Sequence, residues 1–206
     1  MPIKKMAVTL EKFIGQDNKL VLVAGGGENA RAYITTARKL GADESSCDLI
    51  GIRITQANAE LLSLAFEEHT AGTAFNLGEL RTLAQREVII MGGLQPGQST
   101  NAVAALAAEI THADVFVNGT DVDGIYTEDP KKNPKAKLLK TIEIRKLLSL
   151  AMSGEVFAGK YELLDPIAVR VLQRSRMPTR FVSLEKPENI IQAINGRDIG
   201  TNVVYD

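Results

Sequence analysis

The sequence predicts an α/β protein, a three-layer αβα sandwich in which helices cover both faces of a mainly parallel sheet. The first observation behind this prediction is that short apolar, β-branched runs alternate with longer segments of helical periodicity. The second is that three apolar runs, at residues 19–24, 87–91 and 114–117, end in glycine-containing loops. Ligands of open α/β sheets bind at the edge formed by the carboxyl ends of the strands. These loops are therefore where we expect the functional residues.

The first half of the chain is predicted to contain four helices and three strands. Apolar spacing places helices at residues 1–16, 28–40, 48–68 and 77–85, and strands at residues 19–24, 73–75 and 87–91. Gly15 and Gly41 are expected to end the first two helices. Asp48 is interpreted as the N-cap of the long third helix. The apolar stripe of that helix suits the core or a subunit interface.

The second half continues the alternation. Helices are predicted at residues 101–110, 142–152, 166–174 and 187–194, and strands at residues 114–117, 180–183 and 200–205. Ser99 or Thr100 is expected to cap the first of these helices, and Asp165 with Pro166 to begin the third. Residues 154–164 are interpreted as irregular, and the last strand is expected at the edge of the sheet.

Composition favours a small anionic ligand. The 206 residues, 45% of them hydrophobic and 24% charged, can bury a sizeable core. A formal net charge of −1 gives no overall basic field that would favour nucleic acid. With no apolar run of about 18 residues and no signal-peptide pattern, we expect a cytoplasmic protein without a membrane span.

Cysteine and histidine usage argues against a transition-metal site. Cys47 is the only cysteine, so it cannot form an internal disulfide. His69 and His112 are the only histidines, which leaves no ligand set typical of zinc. Any metal is expected to be Mg²⁺ that arrives with phosphate groups.

Two loops carry the features of a phosphate site. Residues 25–27 are three glycines between a strand and a helix, and residues 94–100 bring two hydroxyls to the start of another helix. Such loops aim backbone N–H groups and a positive helix end at one point. A tight turn without a ligand is the alternative at residues 25–27, and Arg31 is either a phosphate ligand or solvated. The four lysines of residues 131–137 are likewise either solvated or an anion clamp.

Four segments carry motifs that occur in a fixed order. They read AGGGENAR at residues 24–31, DLIGIRITQANA at 48–59, GGLQPGQSTN at 92–101 and TDVDGIYTEDPK at 120–131. The corresponding patterns are V-G-G-G-x-x-A-R, D-x-I-G-I-x-x-T-x-x-N-A, G-G-x-x-P-G-x-T-T-D and T-N-V-D-G-V-Y-T-x-D-P-K. Together they resemble the archaeal type of uridylate (UMP) kinase in the amino-acid kinase superfamily. The similarity runs from about residue 7 to the C-terminus, and the last two motifs are quite specific.

This resemblance implies a phosphotransferase with one amino-acid kinase-like domain. Its acceptor-binding part would be at about residues 1–110 and its ATP-binding part at about residues 111–206. The family reaction moves the γ-phosphoryl group of Mg·ATP to UMP and gives UDP and ADP. Asp48 would accept hydrogen bonds from the ribose hydroxyls, and residues 94–100 would hold the acceptor phosphate. A homohexamer built from dimers is also implied.

The resemblance implies site residues position by position, without singling out a catalytic one. The implied UMP site consists of Gly26, Asp48, Leu94, Gln95, Pro96, Gly97, Gln98, Ser99 and Thr100. The implied ATP site consists of Gly27, Arg31, Thr120, Asp121, Tyr126 and Asp129.

Departures from the family pattern leave a second function open. Family members begin with a strand and a G-G-S loop that covers the ATP phosphates, and nothing in this sequence matches them. Asn101 stands where the pattern has Asp, either as a simple first-turn helix residue or as a lost charge. Residues 94–95 and 98–99 also differ from the polar and histidine residues usual in archaeal uridylate kinases. The alternative is a nucleotide-binding regulatory protein or an inactive, truncated kinase homologue.

Overall fold

The computed structural model describes residues 3–14, 18–66, 70–153 and 165–206. The chain divides into two compact units, which we call the first unit (residues 11–107) and the second unit (residues 1–10 and 108–206). Within the described ranges, no helix is long and apolar enough to cross a membrane.

Helices and strands alternate along most of the described residues. The helices are α1 (Ile3–Ile14), α2 (Gly27–Lys39), α3 (Glu44–Ser63), α4 (Leu77–Leu83), α5 (Thr100–Ile110), α6 (Ile144–Ser153), α7 (Pro166–Ser175) and α8 (Glu188–Ile194). The strands are β1 (Leu20–Val23), β2 (Thr70–Ala74), β3 (Val88–Met91), β4 (Phe116–Thr120), β5 (Thr141–Glu143), β6 (Thr179–Ser183) and β7 (Thr201–Val204). The alternation is interrupted at three places, where α2 is followed by α3, β4 by β5 and α6 by α7.

The sheet of the first unit is parallel and has the strand order β1–β3–β2. Its central strand β3 reads VIIM and is buried at every position, which explains why it lacks the alternating polar residues of a half-exposed strand. α3 packs against β2, β3 and α2. Gly92 permits this packing, because a Cβ there would lie 2.7 Å from backbone atoms of Thr55 and Gln56.

The sheet of the second unit has the strand order β4–β6–β7–β5. β4 pairs with β6 and β5 pairs with β7 in parallel, whereas β6 and β7 are antiparallel. Fully buried Thr201 on β7 accepts a hydrogen bond from Ile125 N at 2.8 Å and donates one to Leu139 O at 2.6 Å. These bonds tie the chain on both sides of residues 126–138 to the sheet.

The predicted α/β class and the mainly parallel strand pairing are confirmed. The predicted start of the long helix is wrong. α3 begins at Glu44, because Asp43 Oδ1 accepts a hydrogen bond from Ser46 N at 2.7 Å and caps the helix there. Asp48 therefore lies inside α3 and is available for another role.

Several other boundaries also differ from the sequence prediction. α3 ends at Ser63 rather than residue 68, because the last backbone bonds change to i−3 acceptors, as in Phe66 N to Ser63 O at 3.0 Å. β5 occupies the start of a predicted helix, and β7 lies between β6 and β5 rather than at the edge. β4 extends to Thr120 because residues 118–120 pair with β6.

The third predicted helix of the second half begins as expected. Asp165 Oδ1 accepts a hydrogen bond from Ala168 N at 2.8 Å, and Pro166 is the first residue of α7. Gly41, with φ +90°, follows α2 as predicted. The predictions at Gly15 and for residues 154–164 fall outside the described residues.

Candidate functional site

The first glycine loop follows β1 and leads into α2. Gly26 is the N-cap of α2, and a Cβ at this position would collide with the Cβ of Ala30. Gly27 has φ +62°, which residues with a side chain rarely adopt. Arg31, one turn further along α2, is exposed. Glycine is thus required at two adjacent positions for two different steric reasons.

The loop of residues 94–100 contains a turn and ends in a helix cap. Pro96 and Gly97 form the turn, in which Gly97 has φ +73°, as the third position of a type II turn requires. Ser99 Oγ accepts a hydrogen bond from Ala102 N at 3.1 Å, so Ser99 rather than Thr100 caps α5. α5 begins at Thr100, so its positive amino end adjoins this loop, as expected for an anion site.

The two loops approach each other at Thr100. This residue begins α5, and its Oγ1 lies 3.9 Å from the position that a Cβ on Gly25 would take. The hydroxyl of Thr100 is therefore adjacent to the first glycine loop. Asn101 follows in the first turn of the same helix.

Asp48 connects α3 to the loop of residues 94–100. Its Oδ2 accepts a hydrogen bond from Gly97 N at 2.8 Å, and its side chain is half-buried. A carboxylate has about four acceptor positions, so Asp48 can bind further donors while it holds Gly97. The carboxylate thus faces the loop that is predicted to hold the acceptor phosphate.

Two side chains of α3 bind the backbone that follows β3. Thr55 Oγ1 accepts a hydrogen bond from Gly93 N at 2.7 Å and donates one to Ile52 O at 2.7 Å. Gln56 Nε2 donates to Gly93 O at 3.2 Å. Both polar groups of the Gly93 backbone are therefore bound by α3.

Asn58 of α3 binds the first glycine loop. Its Nδ2 lies 2.8 Å from Gly25 O and 3.4 Å from Gly26 O, and it donates to both. Sequence reasoning assigned no role to Thr55, Gln56 or Asn58. The Thr and Asn positions of the D-x-I-G-I-x-x-T-x-x-N-A pattern were a signal for two of them, but the pattern does not indicate which atoms they contact.

In the second unit, Thr120 lies at the carboxyl end of β4. Its hydroxyl donates to Val122 O at 2.6 Å or to Val182 O at 3.1 Å, which links the start of the following loop to β6. The next residue, Asp121, forms an ion pair with Lys131. Thr120 and Asp121 thus both restrain the loop that begins at the strand end.

Asp129 holds the turn before the lysine-rich segment. Its Oδ1 accepts a hydrogen bond from Lys131 N at 2.9 Å, and its Oδ2 lies 3.7 Å from Lys132 Nζ. The Asp129 side chain is only 11% exposed. Two of the four lysines therefore lie against predicted ATP-site carboxylates, Lys131 beside Asp121 and Lys132 beside Asp129.

Tyr126 lies between Asp121 and Asp129 in the sequence. Its hydroxyl donates to Asp123 Oδ2 at 3.3 Å. Partial burial, aided by the negative charge of Asp123, raises the pKa of Tyr126 above its usual value. The hydroxyl consequently remains protonated, and able to donate, at neutral pH.

The predicted residues fall into two groups. All of the predicted UMP-site residues lie in the first unit, where α3 contacts both of their loops. Of the predicted ATP-site residues, Gly27 and Arg31 lie in the first unit, and the other four lie in the second. None of them lines the groove of about 600 Å³ between α6 and α7, whose lining is Arg145, Leu148, Ser149, Met152, Arg170 and Gln173. The candidate site is formed by loops at helix ends, where a phosphate site needs no deep cavity.

The chain belongs to the amino acid kinase family, whose model matches residues 2–183. It is 40% identical to the uridylate kinase of Methanobrevibacter smithii over 195 residues, which are 94% of this chain and 87% of that protein. It is 39% identical to the uridylate kinase of Archaeoglobus fulgidus over 200 residues, 97% of this chain and 90% of that protein. The crystal structure of uridylate kinase from Archaeoglobus fulgidus matches with a TM-score of 0.86 at 37% identity, over 98% of this chain and 92% of that one. The resemblance predicted from the four motifs is thereby confirmed.

Proposed function

We propose that this protein is a phosphotransferase that moves the γ-phosphoryl group of Mg·ATP to UMP and releases UDP and ADP. The observation that carries the proposal is the similarity of nearly the whole chain to uridylate kinases. The geometry of the first unit supports it, since Asp48 is hydrogen-bonded to the very loop that would hold the acceptor phosphate.

The proposed UMP site uses α3 for the ribose and two loops for the phosphate. Asp48 accepts hydrogen bonds from the ribose hydroxyls with the acceptor positions that Gly97 leaves available. Gly26 and residues 94–100 offer backbone N–H groups and the hydroxyl of Thr100 to the phosphate. A small, doubly charged acceptor suits such a set of donors.

The proposed ATP site consists of the six residues that the resemblance implies. Gly27 and Arg31 interact with the phosphates, and Thr120, Asp121, Tyr126 and Asp129 surround the nucleoside. Mg²⁺ arrives as part of the substrate Mg·ATP and neutralises charge on the phosphates. For in-line transfer, the protein mainly has to align two anions and stabilise the charge that shifts between them, so we assign no acid–base residue.

The proposal extends to assembly and location. We place the protein in the cytoplasm as a homo-oligomer, a hexamer built from dimers. The exposed leucines of α3 support the dimer contact, because an apolar helix face on a protein surface commonly marks an interface.

The proposed enzyme is organised as one domain. Its acceptor-binding part is at about residues 1–110, and its ATP-binding part is at about residues 111–206.

Phosphorus NMR of the purified protein with Mg·ATP and UMP tests the proposed reaction directly. We expect the signals of UDP and ADP to appear with UMP, and to grow much more slowly with CMP or GMP. A folded sample that binds UMP in calorimetry but forms no UDP would instead favour the nucleotide-binding regulatory protein. A sample that phosphorylates CMP or GMP as fast as UMP would overturn the assignment of the acceptor.

A further inference from the structure

The hydrogen bonds of Asn58 fix the direction of two peptide groups in the first glycine loop. In a planar trans peptide, the C=O and the N–H of the next residue point in opposite directions. The described residues contain no cis peptide bond. Asn58 Nδ2 donates to Gly25 O at 2.8 Å and to Gly26 O at 3.4 Å, and Gly26 O also accepts the first backbone hydrogen bond of α2 from Ala30 N at 3.2 Å. The N–H groups of Gly26 and Gly27 therefore point away from Asn58. Apart from its chain neighbours and the backbone of its own helix, no atom of the described residues lies within 4 Å of the place where a Cβ on Gly27 would be, so space is open beside this glycine.

Gln56 has the corresponding effect on the loop that follows β3. Its Nε2 holds Gly93 O at 3.2 Å, so the N–H of Leu94 points away from Gln56. Thr55 binds the N–H of Gly93 at 2.7 Å and fixes the peptide group on the other side. Gln56 thus orients the first residue of the loop that is proposed for the UMP phosphate.

We infer that Asn58 is a positioning residue for phosphoryl transfer and that Gln56 is a positioning residue for the acceptor alone. The inference rests on the proposed function, in which Gly26 contacts the acceptor nucleotide and Gly27 contacts the ATP phosphates. The Asn58 amide then orients the N–H donor for the acceptor and, together with the backbone bond from Ala30 N, the N–H donor for the ATP phosphates, whereas Gln56 acts only on the acceptor loop. Donors that are oriented before the substrates bind stabilise shifting charge without reorganisation. The side chain of Asn58 itself acts through the two glycines and not on the substrates.

Because Asn58 and Gln56 bind different loops, similar substitutions at the two positions should have different kinetic effects. Asn58→Leu removes the amide donor at similar size and should lower kcat by about tenfold to a hundredfold, because misplaced groups at a reacting centre cost rate. Gln56→Leu should raise the KM for UMP by about tenfold and leave the KM for ATP unchanged, as expected when one binding contact is lost. Glu60→Gln changes an exposed side chain of the same helix and serves as the control with wild-type constants. Thermal unfolding of each variant checks that it is folded.

A pH profile separates positioning from a merely structural effect. In Asn58→Asp the carboxylate cannot donate a hydrogen bond, but its protonated form can. Two facing carbonyl oxygens favour that protonated form. The ratio of variant kcat to wild-type kcat should therefore rise as the pH is lowered from about 8 to about 5. A ratio that stays constant over this range contradicts the role of the donor, even if Asn58→Leu fails to fold.

Other outcomes distinguish this inference from the proposed function. Wild-type kcat in folded Asn58→Leu overturns the inference, and so do identical kinetic changes in Asn58→Leu and Gln56→Leu. If the wild-type protein makes no UDP, the proposed function fails while the inference is still testable by calorimetry with ATP. Weaker ATP binding by Asn58→Leu than by Gln56→Leu then supports the inference, and equal binding overturns it.

Discussion

Asp48 uses one carboxylate for two tasks in the proposed site. Its Oδ2 accepts a hydrogen bond from Gly97 N at 2.8 Å, which holds the carboxylate and the Pro96–Gly97 turn in register. The ribose hydroxyls then have only to meet an acceptor that is already oriented. Such preorganisation reduces the ordering cost of binding. Asp48 therefore contributes both to the shape of the loop and to recognition of the sugar.

Replacing Asp48 should affect UMP much more than ATP. Asp48→Ala removes the loop contact and the ribose acceptor together, and we expect the KM for UMP to rise by more than about tenfold, as for a lost hydrogen bond to a charged group. Asp48→Asn keeps one oxygen for Gly97 N and should show an intermediate effect. Steady-state kinetics with each nucleotide varied in turn measures both constants. An Asp48→Ala variant with the wild-type KM for UMP would remove Asp48 from the acceptor site.

α3 contacts the candidate site at three places. Over its 20 residues it presents Asp48 to one loop, Thr55 and Gln56 to the backbone after β3, and Asn58 to the first glycine loop. At a rise of about 1.5 Å per residue, Asp48 and Asn58 are about 15 Å apart along the axis. A rigid helix of this length fixes the distance between the loops that it contacts. Two flexible loops without such a helix would not keep a constant spacing.

The start of α3 should respond to pH through its cap. Asp43 accepts hydrogen bonds from the backbone N–H and the hydroxyl of Ser46, and these bonds lower the pKa of Asp43 below its usual value. A lowered folded-state pKa means that the stabilisation is present above the unfolded value of about 3.9 and is lost as the pH falls through the folded value. The Tm of wild type should therefore exceed that of Asp43→Ala at pH 7, and the difference should shrink toward about pH 3.

The amide variant provides the control for this prediction. Asp43→Asn keeps an uncharged oxygen that can cap the helix at every pH. Its Tm should exceed that of Asp43→Ala by a margin that does not depend on pH. Thermal unfolding of the three proteins at several pH values makes the comparison. A difference between wild type and Asp43→Ala that is the same at pH 7 and pH 3 would contradict the role assigned to the charged cap.

The contact between α3 and β3 depends on the absence of a side chain at Gly92. A Cβ there would lie 2.7 Å from Gln56 N and from Thr55 C, and backbone atoms of a packed helix cannot move aside cheaply. We expect Gly92→Ala to lower the free energy of unfolding by about 1–3 kcal/mol, the usual cost of overpacking. Denaturant unfolding measures this change.

Gly25→Ala is the matched control for Gly92→Ala. The nearest atom to a Cβ on Gly25 is 3.9 Å away, so the added methyl group meets no steric conflict. Its free energy of unfolding should stay within about 0.5 kcal/mol of wild type. Equal stability of Gly92→Ala and wild type would mean that α3 can shift away from β3 more easily than its contacts indicate.

Most of the strands and helices follow from sequence periodicity, but some of their boundaries do not. β3 is predictable because four consecutive apolar residues fit only a fully buried strand or helix, and the flanking glycines limit its length. β5 is too short for its alternation to be distinguished from the helix that follows it. The start of α3 was misplaced because Asp43 and Asp48 are both good caps by residue type, and only the contact with Ser46 selects one.

The residues of the candidate site, like the element boundaries, are only partly predictable from the sequence. Glycines and hydroxyls at strand ends identify Gly26 and Thr120 from their type and position. Asp48 lies inside α3, so its site role is indicated only by the motif that contains it. The role of Asn58 is not predictable in this way, since a polar residue within a helix is usually solvated and nothing in its spacing indicates a distant carbonyl. Long-range hydrogen bonds such as Asn58 to Gly25, 33 positions apart, appear only in three dimensions.

At the scale of the whole molecule, both units have candidate functional residues at the carboxyl ends of their strands, where ligands of open α/β sheets bind. Gly25 follows β1, Gly92 follows β3 and Thr120 ends β4, so each sheet presents glycine or hydroxyl groups at the carboxyl ends of its strands. The proposed UMP residues all belong to the first unit, and the residues proposed for the ATP nucleoside belong to the second. Substitutions in the second unit can therefore alter binding of the ATP nucleoside without changing the fold of the unit that holds the UMP residues.

The exposed face of α3 leads to a prediction about assembly. Leu49 and Leu61 of α3 and its C-cap residue Leu64, which keeps helical dihedral angles, are 50%, 53% and 68% exposed, and their spacing places them within one third of the helix circumference. A second copy of the chain could cover this apolar face, and we expect light scattering coupled to size-exclusion chromatography to give a mass of at least a dimer. Leu64→Glu should shift the peak toward the monomer, because burying an unpaired carboxylate is costly. Leu40→Glu, at an 83% exposed position outside α3, should leave the mass unchanged. A monomeric wild-type peak would rule out α3 as a subunit interface and would leave its leucines as isolated surface residues.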